Sequence, residues 1–378
     1  MDFNFTEDQE LLRDSLTRFL ADKYSFDHRA SILASPAGWS REIWAQFAEL
    51  GLLAAPLPEA HGGLGGGPLD VLVVMEAFGA GLVVEPYVPS VVMGGGALIA
   101  AGSPAQHAEH LPALAAGELL LAVGLYEPKG RFSLNFVETS ARKDGAGYVL
   151  NGHKAVVHGG PMADALIVSA RTSGASRDAG GISLFLVPKA AHGVSTREYP
   201  TQDGMRAAEL HFENVALGAE HLLGHADGAL PMIEGLIDHA IAAVCAEAIG
   251  AMRATHAATL EYTRQRKQFG VPIASFQVLQ HRMVDMFMAL EQSVSLTYMA
   301  TLKLDGPAHE RARAASAAKV QIGKAGRFIG QMAVQTHGGM GVTTEMKVAH
   351  LFKRLTMIDS QFGNVDHHLK RFAKMPMA

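Results

Sequence analysis

Apolar residues recur at helical spacing over the opening part of the chain and again over its last part, with short strand-like runs between. Thr6 followed by Gln9 has the form of a capping box, and Leu11, Leu12, Leu16, Phe19 and Leu20 then mark one helix face. Ser40 predicts a cap for a second helix carrying Ile43, Trp44, Phe47 and Leu50, ended by Gly51. Asp70 predicts the cap of a helix over 71–78. The middle reads differently. Runs at 119–125, 148–150, 166–169, 182–187 and 209–212 are short strands, separated by Asp144-Gly145, Asn151-Gly152, Gly180-Gly181 and Asp203-Gly204. From about 228 onward the helical period returns, with a wide stripe of Leu236, Ile237, Ala240, Ile241, Val244, Ala248, Ala251 and Met252. A second helix follows Pro272, and a third runs over 308–334. The pattern divides the chain into a helical domain at 1–118, a β domain (sandwich or barrel) at 119–225 and a helical bundle at 226–378. The fold class is therefore mainly α with a central β domain.

Composition narrows the function. The 378 residues are 48% apolar and 18% charged, which describes a globular chain. Net charge is −5 with no basic block, which argues against nucleic acid. The single cysteine, Cys245, sits in an Ala-rich helical run and reads as core. Asp2, Glu7, Asp8 and Glu10 leave no basic start or apolar run for a signal peptide, so a cytoplasmic protein without a membrane span is expected. His350, His367 and His368 lack the spacing of a metal site, and in the adjacent pair at least one ring is expected at the surface. The loop of 61–67, rich in glycine, follows no strand and reads as a connector.

Two stretches carry chemistry. Arg266, Lys267, Gln268 and Phe269 precede a Gly270–Val271–Pro272 break, and Phe276 and Gln277 follow it. Cations before Gly and Pro are first a helix stop. A planar cation, amides and a ring at one turn can also hold a dinucleotide pyrophosphate. Further on, Gln335-Thr336-His337-Gly338-Gly339-Met340-Gly341 offers backbone close to a ligand ahead of another helix.

Taken together, these two stretches resemble the C-terminal signatures of the acyl-CoA dehydrogenases. The order helical domain, β domain, helical bundle matches that family over nearly the whole chain. The runs Ser275-Phe276-Gln277-Val278-Leu279-Gln280-His281 and Phe352-Lys353-Arg354-Leu355-Thr356-Met357-Ile358-Asp359 are similar to the group of pimeloyl-CoA dehydrogenase small subunits. The resemblance implies FAD as cofactor and an acyl-CoA thioester as substrate. A carboxylate removes the α-proton, a hydride leaves the β-carbon for the flavin, and trans-2-enoyl-CoA results. It also implies reoxidation by an electron-transferring flavoprotein. The family forms dimers and tetramers with FAD at subunit interfaces. Arg266, Lys267 and Gln268 are then expected at a neighbour's FAD pyrophosphate, with Phe269, Phe276 and Gln277 in the same pocket. Gln335, Thr336, His337, Gly338 and Gly339 are expected on the adenosine side.

The departures from the family share a direction. Its base lies in a Tyr-Glu-Gly-Thr-like turn, which here is Phe362-Gly363-Asn364-Val365, so Gly363 takes the place of the base. The alternative base position on the first bundle helix falls near Ala240. Glu234, Asp238, His239, Asp359 and Asp366 are substitutes out of register, and the catalytic base stays unassigned. A Thr-Glu-Pro-x-x-Gly-Ser-Asp run becomes Tyr126-Glu127-Pro128-Lys129-Gly130-Arg131-Phe132-Ser133. A Lys-x-Trp-Ile-Thr run becomes Lys154-Ala155-Val156-Val157-His158, where Ala155 is read as replacing the aromatic and Val157 the hydroxyl donor. The expectation is a subunit without a base in a heterotetramer with a related subunit. The rivals are a complete homodimer or homotetramer with a relocated base, a non-catalytic structural or regulatory paralogue, and a flavin oxidase or monooxygenase.

Overall fold

The computed structural model describes residues 5–375, so Asp2 lies outside the described residues. In chain order the helices α1 to α6 are Glu7–Lys23, Phe26–Ala34, Arg41–Glu49, Pro68–Gly81, Gly96–Ala101 and Pro104–Ala115. Eight strands follow: β1 Leu121–Gly124, β2 Ser140–Asp144, β3 Gly147–His158, β4 Ala165–Arg171, β5 Ile182–Pro188, β6 Val194–Pro200, β7 Arg206–Leu217 and β8 Leu222–Leu223. The long helix α7, Leu230–Gln265, leads into a hairpin of β9 Lys267–Gln268 and β10 Val271–Pro272. Helices α8 Gln277–Leu302, α9 Ala308–His337, α10 Lys347–Ser360 and α11 Val365–Lys374 complete the chain.

The local signals act as the physics requires. Thr6 and Gln9 exchange the two bonds of a capping box at α1. Ser40 accepts from the Ile43 amide and starts α3. Asp70 is not a cap, because Pro68 already occupies the first helical position of α4, where its missing N–H costs nothing. Three strands lack a sequence signal. Charged residues make up most of β2, no residue of β6 is fully buried, and β8 has two residues. The run at 148–150 is only the start of a 12-residue strand, β3.

Chain contacts divide the protein into two compact units, both discontinuous in sequence. One comprises Leu33–Gly67 and Val84–Ala240 and holds an eight-stranded sheet of order β6-β7-β3-β2-β4-β5-β8, with β1 parallel to β4. Its core is built from alternate residues of facing strands, among them Leu150, Leu166, Val168, Phe185, Leu210 and Phe212. The other unit comprises Met1–Ile32, Pro68–Val83 and Ile241–Ala378. In it α9 packs against α8, α10 and α11 through small buried residues such as Ala314, Ala318, Gly326 and Ala333. Helices α4 and α7 cross with their backbones in contact. A Cβ on Gly79 would stand 1.8 Å from the Glu247 carbonyl oxygen, and one on Gly250 1.8 Å from that of Glu76.

Helix α7 is long and apolar enough to cross a membrane, which the sequence reading did not foresee. Its most apolar window is 89% buried within the protein, so the apolar residues serve packing. Cys245, on the same helix, is buried, and burial pushes its thiol up to about 12.

Candidate functional site

The last turn of α7 brings the two chemical stretches together. Tyr262, one turn before Arg266, stacks on His337 at 4.3 Å between ring centroids. Its hydroxyl donates to the His337 carbonyl at 3.4 Å. His337 is buried, and its Nδ1 bonds the Ala333 carbonyl at 2.8 Å. Burial holds the ring below its ordinary pKa, only partly opposed by that carbonyl, so it is neutral near pH 7. His337 thus joins α9 to α7. Tyr262 was not singled out from sequence, because a lone Tyr inside a helical period carries no signal.

Beyond Tyr262 the chain becomes an exposed arm. Gln268 pairs with Val271 across a two-residue turn, and the Ile273 amide donates to the Arg266 carbonyl at 2.8 Å. Both turn residues have positive φ, +54° at Phe269 and +83° at Gly270, the pattern of a type I′ hairpin turn. Arg266, Lys267 and Gln268 are exposed, and the Phe269 ring at the tip is 91% exposed. Phe269 meets Phe276 edge-on at 6.1 Å. Gln277 opens α8 and is exposed. Neither Arg266 nor Lys267 forms an ion pair among the described residues. Nearby, Gln335, Gly338 and Gly339 are exposed, while Thr336 turns back to the Met332 carbonyl at 2.7 Å. Side chains at either glycine would meet nothing within 4 Å. Two free cations, an aromatic tip and an open glycine backbone therefore form one exposed platform. It suits the pyrophosphate of a dinucleotide held from outside the chain.

The turn where the family resemblance puts the base is the reverse. Gly363 is buried at φ +110°, after Phe362 at φ +56°. A Cβ there would lie 2.6 Å from the His367 ring and 2.7 Å from that of His368. The substitute carboxylates lie in varied surroundings. Asp359 is engaged by Arg327 at 3.4 Å. Asp366 is exposed in the first turn of α11. Asp238 is buried in the sheet-bearing unit, and Glu234 and His239 lie beside it on α7. Ala240 is fully buried. Glu247, two turns further along α7, is also buried and is held by Arg354 through bonds of 2.5 and 2.6 Å. Of the adjacent histidines, His368 is buried and His367 is partly exposed.

The third element lies in the sheet-bearing unit. Lys154 is fully buried and donates to Glu127 at 2.7 Å and to the Ser169 hydroxyl at 3.0 Å. Burial draws its pKa down to about 8 against the pull of Glu127. Burial alone would raise Glu127, but Lys154 and the amides of Thr139 and Glu138 hold it below the ordinary carboxylate range. The pair ties both ends of the loop between β1 and β2 to β3. It also corrects the register read from sequence. A bulge in β3 between Lys154 and Val157 turns Val156 outward at φ +53° and 49% exposure, while Ala155 and Val157 face inward. The residue presented at the aromatic position is Val156, and His158 falls at the hydroxyl position. With an aliphatic side chain there, the residues present do not supply an aromatic wall for a flavin ring. The fit to FAD is good on the pyrophosphate side and incomplete on the ring side.

Comparison with known proteins agrees with this geometry. The acyl-CoA dehydrogenase N-terminal, middle and C-terminal domain models match residues 6–118, 122–215 and 227–374. The chain is 31% identical over 367 residues to a mitochondrial isovaleryl-CoA dehydrogenase of Oryza sativa, covering 95% of this chain and 88% of that one. Among solved structures, butyryl-CoA dehydrogenase from Megasphaera elsdenii superposes with a TM-score of 0.89 at 26% identity, with 99% of each chain covered. A chain of the ChsE4-ChsE5 complex from Mycobacterium tuberculosis gives 0.90 at 27% identity, with each chain covered in full. Three domain models in order and relatives matched over most of their length converge on one conclusion: the chain belongs to the acyl-CoA dehydrogenase family, whose members are FAD-dependent oxidoreductases.

Proposed function

We propose that this chain is the non-base-bearing subunit of a heteromeric acyl-CoA dehydrogenase, and that a related partner subunit supplies the base and the flavin-ring contacts. The single observation carrying this reading is the contrast between Gly363, buried and hemmed in by two imidazoles, and the arm at 266–272, exposed with unpaired cations. FAD, when bound, supplies the hydride acceptor for α,β-dehydrogenation of the thioester. Arg266 and Lys267 would hold its pyrophosphate, Gln268 would bond it and Phe269 would cover it. Gln335 and the backbone of Gly338 and Gly339 would face the adenosine side, with His337 holding that backbone in place through Tyr262. The ChsE4-ChsE5 complex lends support, since a chain of that two-component structure has this fold. The resemblance to pimeloyl-CoA dehydrogenase small subunits supports a dicarboxylyl or otherwise bulky acyl-CoA thioester as the substrate. An electron-transferring flavoprotein would take the electrons onward, in the cytoplasm.

The test is flavin stoichiometry, measured on the purified chain and after co-expression with a neighbouring acyl-CoA dehydrogenase-like gene product. The expected result is next to no flavin on the chain alone and flavin shared between unlike chains in the complex. One tightly held FAD per chain, with turnover of acyl-CoA by this chain alone, refutes the reading.

A further inference from the structure

The turn at Gly363 is held by more than the absence of a side chain. Lys319, on α9, has no exposed surface. Its ammonium donates to three carbonyls: Ile358 at 2.7 Å, Asp359 at 2.9 Å and Gly363 at 2.8 Å. The first two belong to the last turn of α10, where carbonyls lack partners within the helix and a cation is favoured. The third belongs to the turn. His368, on α11, donates from Nε2 to the Phe362 carbonyl at 3.0 Å. That leaves its Nδ1 as the acceptor facing the Ser316 hydroxyl at 3.3 Å. Ser316 in turn accepts from Arg371 at 3.4 Å, which completes the proton order along the chain of bonds. Two successive residues of positive φ, one of them a phenylalanine, are costly unless their surroundings fix them. Here every carbonyl of the strained pair is bonded to a buried side chain.

We propose that Lys319 and His368 form a brace that fixes the Phe362–Gly363 turn in a shape admitting no side chain at position 363. The missing base is then a built feature of this fold, and a single substitution cannot restore it. This rests on the reading of Gly363 as the base position, and it adds that the chain's own acyl site is committed to the base-free state. Burial brings the Lys319 pKa down to about 8 and that of His368 to about 3, consistent with a cation retained by its three acceptors and a ring kept neutral.

The experiment uses thermal unfolding and amide hydrogen exchange on the purified full chain. Gly270→Ala is the reference, because Gly270 also has positive φ but a side chain there meets nothing within 4 Å. Gly363→Ala is expected to lower the unfolding midpoint at least twice as far as Gly270→Ala, and Gly363→Glu further still. Lys319→Met is expected to lower it by roughly 5–10 °C and to raise exchange at the Gln361, His367 and His368 amides at least tenfold. Equal shifts for the two alanine variants, or a Gly363→Glu chain as stable as wild type, overturn the brace. If Lys319→Met does not fold, Gly363→Ala against Gly270→Ala decides the matter. Neither measurement depends on flavin or partner, so the brace can fail while the heteromeric reading stands, and the reverse.

Discussion

Two Phe-Gly pairs in this chain adopt left-handed backbone in opposite surroundings. Phe269-Gly270 forms the tip of the arm after α7, with φ of +54° and +83° and the ring 91% exposed. Phe362-Gly363 forms the turn between α10 and α11, with φ of +56° and +110° and the ring 8% exposed. The buried pair is held by Lys319, His368 and the rings that crowd Gly363. The exposed pair has little beyond its own hairpin and the edge of Phe276. Strain supported from within the chain marks a structural turn. Strain and an aromatic ring left in water mark a surface that finds its support elsewhere. The difference therefore separates what the chain keeps closed from what it offers.

The largest effect tests whether the closed side is a stability element. Glu247 and Arg354 are both about 5% exposed and joined by two short bonds, linking α7, which carries the arm, to α10, which carries the turn. Glu247→Ala leaves a guanidinium buried without its partner, and the expected loss is about 3–5 kcal/mol in denaturant unfolding. A loss under about 1 kcal/mol would show that water already reaches the pair and that the interior is not closed there. Next comes the arm. Arg266→Ala removes an exposed cation with no ion pair, so urea midpoints should stay at the wild-type value. Flavin retention in the assembled complex should fall roughly tenfold or more, the loss of a charge-assisted phosphate contact. A shifted midpoint with unchanged flavin binding would reverse the assignment of the two regions.

How much of this was legible in the sequence follows from the range of each signal. Capping at Thr6 and Ser40 is encoded within four residues, and both helices begin where those residues stand. The stretches at 266–269 and 335–339 were readable through their match to the family's two motifs, since by residue type alone they are ordinary helix ends. Their meeting through Tyr262 and His337 was not, since it joins residues 75 positions apart. Lys319 was invisible for the same reason: inside an Ala-rich helix it looks like one more solvated lysine, and only the fold places the end of α10 over it. The β3 reading was off by one residue: counted from Lys154 the aromatic position is Val156, and the bulge that turns Val156 outward leaves no compositional trace.

The closed side also predicts a pH response. Burial, with Lys319 and His367 beside it, depresses His368 to about 3 in the folded chain, against an ordinary value of 6.5. A depressed pKa means that the unfolded chain binds the extra proton first. The stabilisation is complete above pH 6.5 and is lost as pH falls toward about 3, at about 1.4 kcal/mol per pH unit. His337, His350 and His367 are depressed as well and add to the same slope. His368→Asn keeps a donor near the Phe362 carbonyl but cannot titrate, so its stability profile should be flatter across that window. A variant with the wild-type slope would show that the ring is not held neutral by the turn.

The smallest expected effect bears most directly on the arm. A two-residue turn with both φ positive favours Asn-Gly, because Asn tolerates left-handed backbone where Phe does not. Phe269→Asn should therefore stabilise the isolated chain by about 0.5 kcal/mol, net of the edge contact with Phe276, as read from urea midpoints. The chain keeps a residue that is worse for its own hairpin, and a 91% exposed ring does nothing for its core. The compensation must then come from outside. If Phe269→Asn stabilises the chain and loosens flavin in the complex, the tip is shaped for a neighbour at the expense of its own turn. If flavin retention is unchanged, the ring is idle and the contrast between the two Phe-Gly pairs is one of burial alone.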